Sequence, residues 1–393
     1  RRSRAGGGRR SGPRRAVVPR SAVAKDAPYE VLPHDGCAFG GYVQGYDLRR
    51  AIGDPAATAQ LRRDMSRHRL LVFRGQTELS GADHVALSEQ LGSLDHGLHR
   101  PHPRADDPRL LRVSNDEQEG FVMVGTSGWH VDGVMLRAPF ATQTMHFLSS
   151  IEGGDTLFLG LGEFLRALPA GLRERCRRLW FVSGVGRDLM AGEGQLSLLP
   201  LVHRHPVTGE ESMCFHLGQG YCLGWIQEEE QAAADPFGGL LRGLLGAPGA
   251  EASAAQEALR RLLGAGQAGA EPVGGFGFLP PGPTQELLAS AVERLDGPTR
   301  SRAIWRQQWR TGDFALIDNV ALAHLPAPGT QADRAGTGLR LFHRTTMVDQ
   351  GAALSSAGRG APSALLVGRR EVLAEGCREG AQVEPAAMRA ILR

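Results

Sequence analysis

The sequence predicts a mainly β fold with flanking helices: a sandwich or barrel behind a helical N-terminal unit, interrupted by an inserted helical and Gly-rich segment. Three observations predict it. From Val122 to Thr346, short apolar runs such as Phe140 to Leu148, Leu157-Phe158-Leu159 and Phe314-Ala315-Leu316-Ile317 alternate with Gly and Pro turn signals. Residues 56–91 before them read helix, buried strand, helix. The chain has 393 residues, 41% apolar and 22% charged, which suits a globular protein able to bury a substantial core. No stretch approaches the ~18–20 uninterrupted apolar residues of a membrane span.

The elements follow in order. Residues 1–25 carry eight Arg and Lys25 and no acid, and they lack the apolar run of a secretory signal. Segment 1–26 is expected to be a basic leader, either a solvated, disordered arm or a plastid or mitochondrial transit peptide. Removing residues 1–25 leaves a net charge of −6, so the body has no electrostatic footprint for nucleic acid. Five scattered cysteines without a C-x-x-C pair argue against a disulfide framework or a Cys zinc site. They fit a reducing compartment, organellar or cytoplasmic.

Order is expected from about Tyr29, with a short strand at Tyr42-Val43. Ala57, Leu61 and Met65 recur at helical spacing over 56–67, and Leu70-Leu71-Val72-Phe73 is a buried-strand run. Ser80 stands three residues before Asp83, capping-box spacing for a helix through about Leu91. His205-Pro206-Val207-Thr208-Gly209 is a turn between strands. The main domain is expected over 27–349. Residues 228–299 read as an insertion, helical over Glu228 to Ala234 and Ala250 to Leu263, then Gly- and Pro-rich over Gly264 to Pro283. Residues 350–393 form an extension with a helix near Glu384 to Leu392.

The chemistry-bearing features are three. In Gly128-Trp129-His130-Val131-Asp132-Gly133, an extended backbone would put His130 and Asp132 on one face, about 7 Å apart. An imidazole and a carboxylate are two thirds of the facial triad that holds non-haem Fe(II). A bare H-x-D also arises by chance, as a surface His and Asp in a turn. A third ligand must then come from far along the chain. Phe314 to Ile317 runs into the turn pair Asp318-Asn319, and His324 follows, although alone it reads as a core or loop histidine. In Gly338 to Thr346, strand periodicity puts Arg340, Phe342 and Arg344 on one face. Two guanidiniums on a barrel-facing stripe require anions, and Arg is the bidentate partner of a carboxylate or sulfonate. The bland alternative is an edge strand with solvated arginines. His203-Arg204-His205 is a rival H-x-H, although the turn after it accounts for the segment.

Taken in order, these segments resemble the taurine dioxygenase and chlorophenoxyacetate dioxygenase (TauD/TfdA) family over roughly 30–228 and 300–347. The resemblance is carried by Gly40 to Leu48, Leu71 to Gln76, Trp129 to Asp132, Gly153 to Phe158, His205 to Gly209, Asp318-Asn319 before His324, and Arg340 to Thr345. It implies a double-stranded β-helix (jelly roll) with helices packed outside. It implies iron ligation by His130, Asp132 and His324, with 2-oxoglutarate and O2 as co-substrates. The far carboxylate of 2-oxoglutarate is expected at Arg340, helped by Thr156. Oxidative decarboxylation would yield succinate, CO2 and a hydroxylated substrate. Related halogenases carry a small residue where Asp132 stands, so its presence implies hydroxylation. Arg344 matches the residue that pairs with the substrate's sulfonate or carboxylate. Phe158 and His96, with His99 as its alternative, match substrate contacts. His130 and His324 are 194 residues apart, a wide gap for the family, with the surplus in 228–299. The expected function is hydroxylation of a small anionic substrate, with no nucleic-acid or membrane partner and a homo-oligomer compatible with it. A non-catalytic barrel that binds a small acid is the alternative, and a nucleic-acid-associated protein using the basic arm is a third.

Overall fold

The structure, a computed structural model, describes residues 28–95, 101–135, 139–185, 195–218, 221–228, 276–279, 281–295, 302–348, 355–356 and 381–383. The expected leader, the helices over 228–234, 250–263 and 384–392, and His96 and His99 lie outside the described residues, apart from Glu228 at the end of a strand.

The N-terminal unit forms as its residues dictate. Strands β1 (Val31–Pro33) and β2 (Gly41–Val43) lead to helix α1 (Pro55–His68). Asp54 accepts from the amides of Ala56 and Ala57, and Pro55 opens the first turn, where no amide hydrogen is missed. Arg69 ends α1 at φ 66°, unusual for a non-glycine. Its side chain pairs with Glu163 and its carbonyl accepts from Asp318, which hold it there. Strand β3 (Leu70–Phe73) is buried throughout. Helix α2 (Gly81–Leu91) starts with the reciprocal Ser80–Asp83 capping box.

Strands β4 (Ser93–Leu94), β5 (Leu111–Ser114), β6 (Thr142–Ser149) and β7 (Thr156–Gly160) come next, then helices α3 (Leu161–Ala167) and α4 (Ala170–Arg177). They are followed by β8 (Leu179–Val185), β9 (Gln195–Pro200), β10 (Val202–Arg204), β11 (Glu211–Met213), β12 (Cys222–Glu228) and β13 (Phe276–Leu279). Helix α5 (Pro281–Leu295) precedes β14 (Ile304–Gln307), β15 (Phe314–Asp318), β16 (Leu322–Pro326), the single turn α6 (Arg334–Thr337) and β17 (Leu341–Val348). Two short strands, β18 (Ser355–Ser356) and β19 (Ala381–Val383), close the order.

The largest sheet runs β1-β2-β3-β15-β6-β17-β4, with β5 also on β17. Its centre, β15, is buried along its length, which is why it reads as an uninterrupted apolar run. A second sheet, β14-β7-β16, shares a core with the first: Phe158 of β7 and Leu322 of β16 lie in one cluster with Phe147 of β6, Phe342 of β17 and Trp309. The fold is mainly β with flanking helices. Within the stretch read as an insertion, the described residues 276–279 and 281–295 pack on the body of the protein: β13 pairs with β12, and Leu288, Ala291 and Val292 of α5 are buried with Phe181 and Trp225.

Candidate metal centre

His130 does not lie on a regular strand. It is an isolated bridge residue, antiparallel to His216 on one side and His324 on the other, and Asp132 already belongs to the turn that follows. The H-x-D pair therefore converges through a bridge running into a turn, rather than through two-residue strand periodicity. Asn319 supports the turn: its Oδ1 accepts from the Asp132 amide at 3.1 Å, and its Nδ2 donates to the carbonyls of Asp132 (2.9 Å) and Phe140 (2.7 Å). Asn319 of the Asp318-Asn319 pair, legible in sequence as a turn, is thus a clamp on the Asp132 backbone.

His324 stands on β16, opposite Phe158. Asp132 Oδ1 lies 3.7 Å from His130 Nε2, and Asp132 Oδ2 lies 3.5 Å from His324 Nε2. Among the described residues these three form the only group of His, Cys, Asp or Glu whose donor atoms gather this closely, all within 4.8 Å. The donor set suits a divalent first-row metal. His130 Nδ1 lies 2.7 Å from the Gly128 carbonyl, which can only accept, so the proton sits on Nδ1 and the Nε2 lone pair faces Asp132. Burial pushes His324 down to about 3, leaving it neutral and able to ligate. Burial alone would raise the Asp132 carboxyl, but the Arg344 guanidinium beside it outweighs burial, holds the group well below the usual carboxylate range and keeps it ionised.

A cavity of about 490 Å³ opens on this group. His130, Asp132 and Arg344 line it on the polar side, and Phe121, Val124 and Met135 are among its apolar walls. Arg344 Nη1 donates to Asp132 Oδ2 at 2.8 Å. Arg340 is buried: its Nε donates to the Gly154 carbonyl at 3.0 Å, and its guanidinium lies over the rings of Phe147 and Phe342. Among the described residues that carbonyl is the guanidinium's only hydrogen-bond acceptor, so most of its donor capacity is free for an anion. Burial lowers Arg340 to about 10, still charged at neutral pH. Thr156 Oγ1 accepts from Trp309 Nε1 at 2.9 Å, and Trp309 stacks on Phe147 beneath Arg340. Arg340 and Thr156 thus flank one aromatic layer. Phe158 is fully buried between His324 and Trp309 and is not among the cavity walls.

His205 of the rival H-x-H anchors a turn, with Nε2 at 2.9 Å from Asp318 Oδ2 and Nδ1 accepting from Val207 and Thr208. Sequence reasoning missed His216, Asn319 and Trp309 as members of the site. His216 sat in an apolar run beside Phe215, and only the bridge register brings it to His130.

A family model described as "Taurine catabolism dioxygenase TauD, TfdA family" matches residues 32–244. The chain is 24% identical over 194 residues to an alpha-ketoglutarate-dependent sulfate ester dioxygenase of Pseudomonas putida, covering 44% of this chain and 62% of that protein, less than two thirds of its length. It is 26% identical over 204 residues to an (S)-phenoxypropionate/alpha-ketoglutarate-dioxygenase of Sphingobium herbicidovorans, covering 47% and 69% respectively. Its fold is similar to the crystal structure of a taurine dioxygenase from Burkholderia xenovorans, with TM-score 0.53, 23% identity, and 86% of this chain and 97% of that one covered. It is also similar to AAD-2 crystallised with Mn(II) and N-oxalylglycine, with TM-score 0.54, 16% identity, and 84% and 99% covered.

Proposed function

The chain belongs to the TauD/TfdA family, and we propose that it is an Fe(II)- and 2-oxoglutarate-dependent dioxygenase that hydroxylates an organic anion with an apolar body. The observation that carries this reading is the convergence of His130, Asp132 and His324 beside a cavity that His130, Asp132 and Arg344 line. The two relatives named as alpha-ketoglutarate-dependent dioxygenases support it. The double-stranded β-helix is part of the same reading, supported by two sheets around one core.

His130, Asp132 and His324 would hold the iron. When bound, iron supplies the activation of O2 at the expense of 2-oxoglutarate, so that a substrate C–H becomes C–OH and succinate and CO2 leave. Arg340 fixes the far carboxylate of 2-oxoglutarate, and its burial against Phe147 and Phe342 strengthens that pairing by keeping water away. Arg344, which lines the cavity, orients the anionic group of the substrate. Phe121, Val124 and Met135 receive its apolar part and exclude water.

The test is anaerobic addition of Fe(II) and 2-oxoglutarate, followed by visible absorption and then by O2 with a panel of sulfate esters, sulfonates and aryloxy carboxylates. A weak charge-transfer band and panel-dependent succinate are expected, and both should vanish in His130→Ala. No band with the wild-type chain would sink the reading.

A further inference from the structure

His130 has two cross-strand neighbours, and both are histidines. With His324 it exchanges both backbone hydrogen bonds, His130 N to His324 O at 3.2 Å and His324 N to His130 O at 2.9 Å. With His216 it forms the other kind of antiparallel pair, flanked by Val131 N to Phe215 O and Leu217 N to Trp129 O. Side chains in such a pair stand on the same face and close together. The rings follow: His216 stacks on His130 with centroids 4.9 Å apart and planes 21° apart. Tyr221 stacks on the other face of His216, at 4.0 Å and 16°. The column Tyr221–His216–His130 ends at a candidate metal ligand.

The column is built rather than incidental. Gly218 donates its amide to His216 Nδ1 at 3.0 Å, and a Cβ on Gly218 would lie 2.6 Å from the His216 ring. Gln285, from α5, donates to the His216 carbonyl at 3.2 Å. Ser183 donates to the Tyr221 carbonyl at 2.6 Å. The Gly218 contact also decides what His216 cannot be. With Nδ1 accepting, the neutral ring carries its proton on Nε2, so no lone pair remains for a metal. A third imidazole that cannot ligate, stacked on the ring of a candidate ligand where both line the cavity, is placed to orient the ring it covers.

We propose that His216 is a positioning residue of this centre: pressed flat by Tyr221, it fixes the ring plane of His130 and so sets the affinity of the site for a divalent metal. The proposal rests on the metal-binding reading of His130, Asp132 and His324. One face of His130 is covered by His216, and its Nδ1 is tied to Gly128. Together these remove the two motions, tilt and rotation, that would swing Nε2 off the axis it shares with Asp132.

The test is titration of the full chain with Mn(II), reading free Mn(II) by electron paramagnetic resonance, for the wild type, His216→Phe, His216→Leu and Tyr221→Leu. Thermal unfolding in EDTA reports the fold separately. His216→Phe keeps the aromatic face without nitrogen and should hold Mn(II) within about twofold of wild type, whereas His216→Leu fills the space without a ring and should bind about tenfold more weakly. Tyr221→Leu, which frees the column from outside, should weaken binding in the same direction, and it carries the test alone if His216→Leu does not fold. Wild-type affinity in the Leu variants would overturn the proposal. So would His216→Phe binding as weakly as His216→Leu, which would give the role to a nitrogen. Failure of the wild-type chain itself to bind Mn(II) would instead remove the metal reading, and this proposal with it.

Discussion

Arg344 Nη1 lies 2.8 Å from Asp132 Oδ2, so the guanidinium that the family resemblance offers as a substrate anchor is also the countercharge of a candidate metal ligand. Its Nε is buried without a hydrogen-bond partner among the described residues, which leaves part of the fork for a second anion. One arginine would thus link the metal site to the substrate site.

Arg344→Ala should therefore affect both. Mn(II) affinity should fall about tenfold, because Asp132 loses the partner that orients it. Succinate formation should lose its dependence on anionic panel members. Tighter Mn(II) binding in the variant would show that Arg344 competes with the metal for Asp132 instead of supporting it.

Arg340→Ala should act on the co-substrate. Truncating one partner of a buried charged pair costs ~2–5 kcal/mol, so the 2-oxoglutarate concentration needed for the charge-transfer band should rise about thirtyfold or more. Mn(II) affinity should stay within about twofold, since Arg340 touches none of the three ligands and lies against Phe147 and Phe342 instead. Loss of substrate dependence with 2-oxoglutarate affinity intact would mean that the two arginines have exchanged roles.

Asn319→Ala should destabilise the fold and loosen the centre together. It strips partners from the Asp132 amide and from the carbonyls of Asp132 and Phe140. Orphaned buried groups of this kind cost ~1–3 kcal/mol each, so urea unfolding should report a loss of about 2–4 kcal/mol after partial rehydration. Asn319→Asp should not restore it, because a carboxylate cannot donate to the two carbonyls.

Acid should weaken the fold through buried histidines away from the centre. Burial pushes His203 down to about 3, with neighbouring His205 adding to it. In the unfolded chain His203 takes up a proton below its ordinary value of about 6.5, whereas the folded protein resists until about 3. Its contribution to stability is thus full above about 6.5 and declines as pH falls from there toward 3. Urea unfolding between pH 6 and 4 should show His203→Leu losing stability less steeply than wild type, by about 1.4 kcal/mol per pH unit. Parallel slopes in the two proteins would contradict a neutral, buried His203.

Local rules made several elements legible in the sequence. The Ser80–Asp83 box, the Ala57/Leu61 stripe and the Leu70–Phe73 and Phe314–Ile317 runs each rest on contacts within a few residues or on burial of both strand faces. Residues 281–295 were less legible. Their Gly- and Pro-rich approach read as part of an insertion, yet Leu288 and Val292 are buried with Phe181 and Trp225. Helix periodicity says which face is apolar but not what will cover it.

The same division holds at the centre. His130, Asp132, His324, Arg340 and Arg344 could be named as candidates from residue type and order together with the family resemblance, because a metal-and-anion chemistry draws on few side chains. Three further facts depended on the tertiary structure: that Arg344 pairs with Asp132, that Asn319 clamps the Asp132 backbone, and that His216 stacks on His130. Each joins residues at least 86 positions apart, through a strand register that no local pattern encodes. The chain's own sequence set which groups were present. Only the pairing of the strands decided which of them touch, because register is fixed by burial of the whole sheet rather than by the residues that meet.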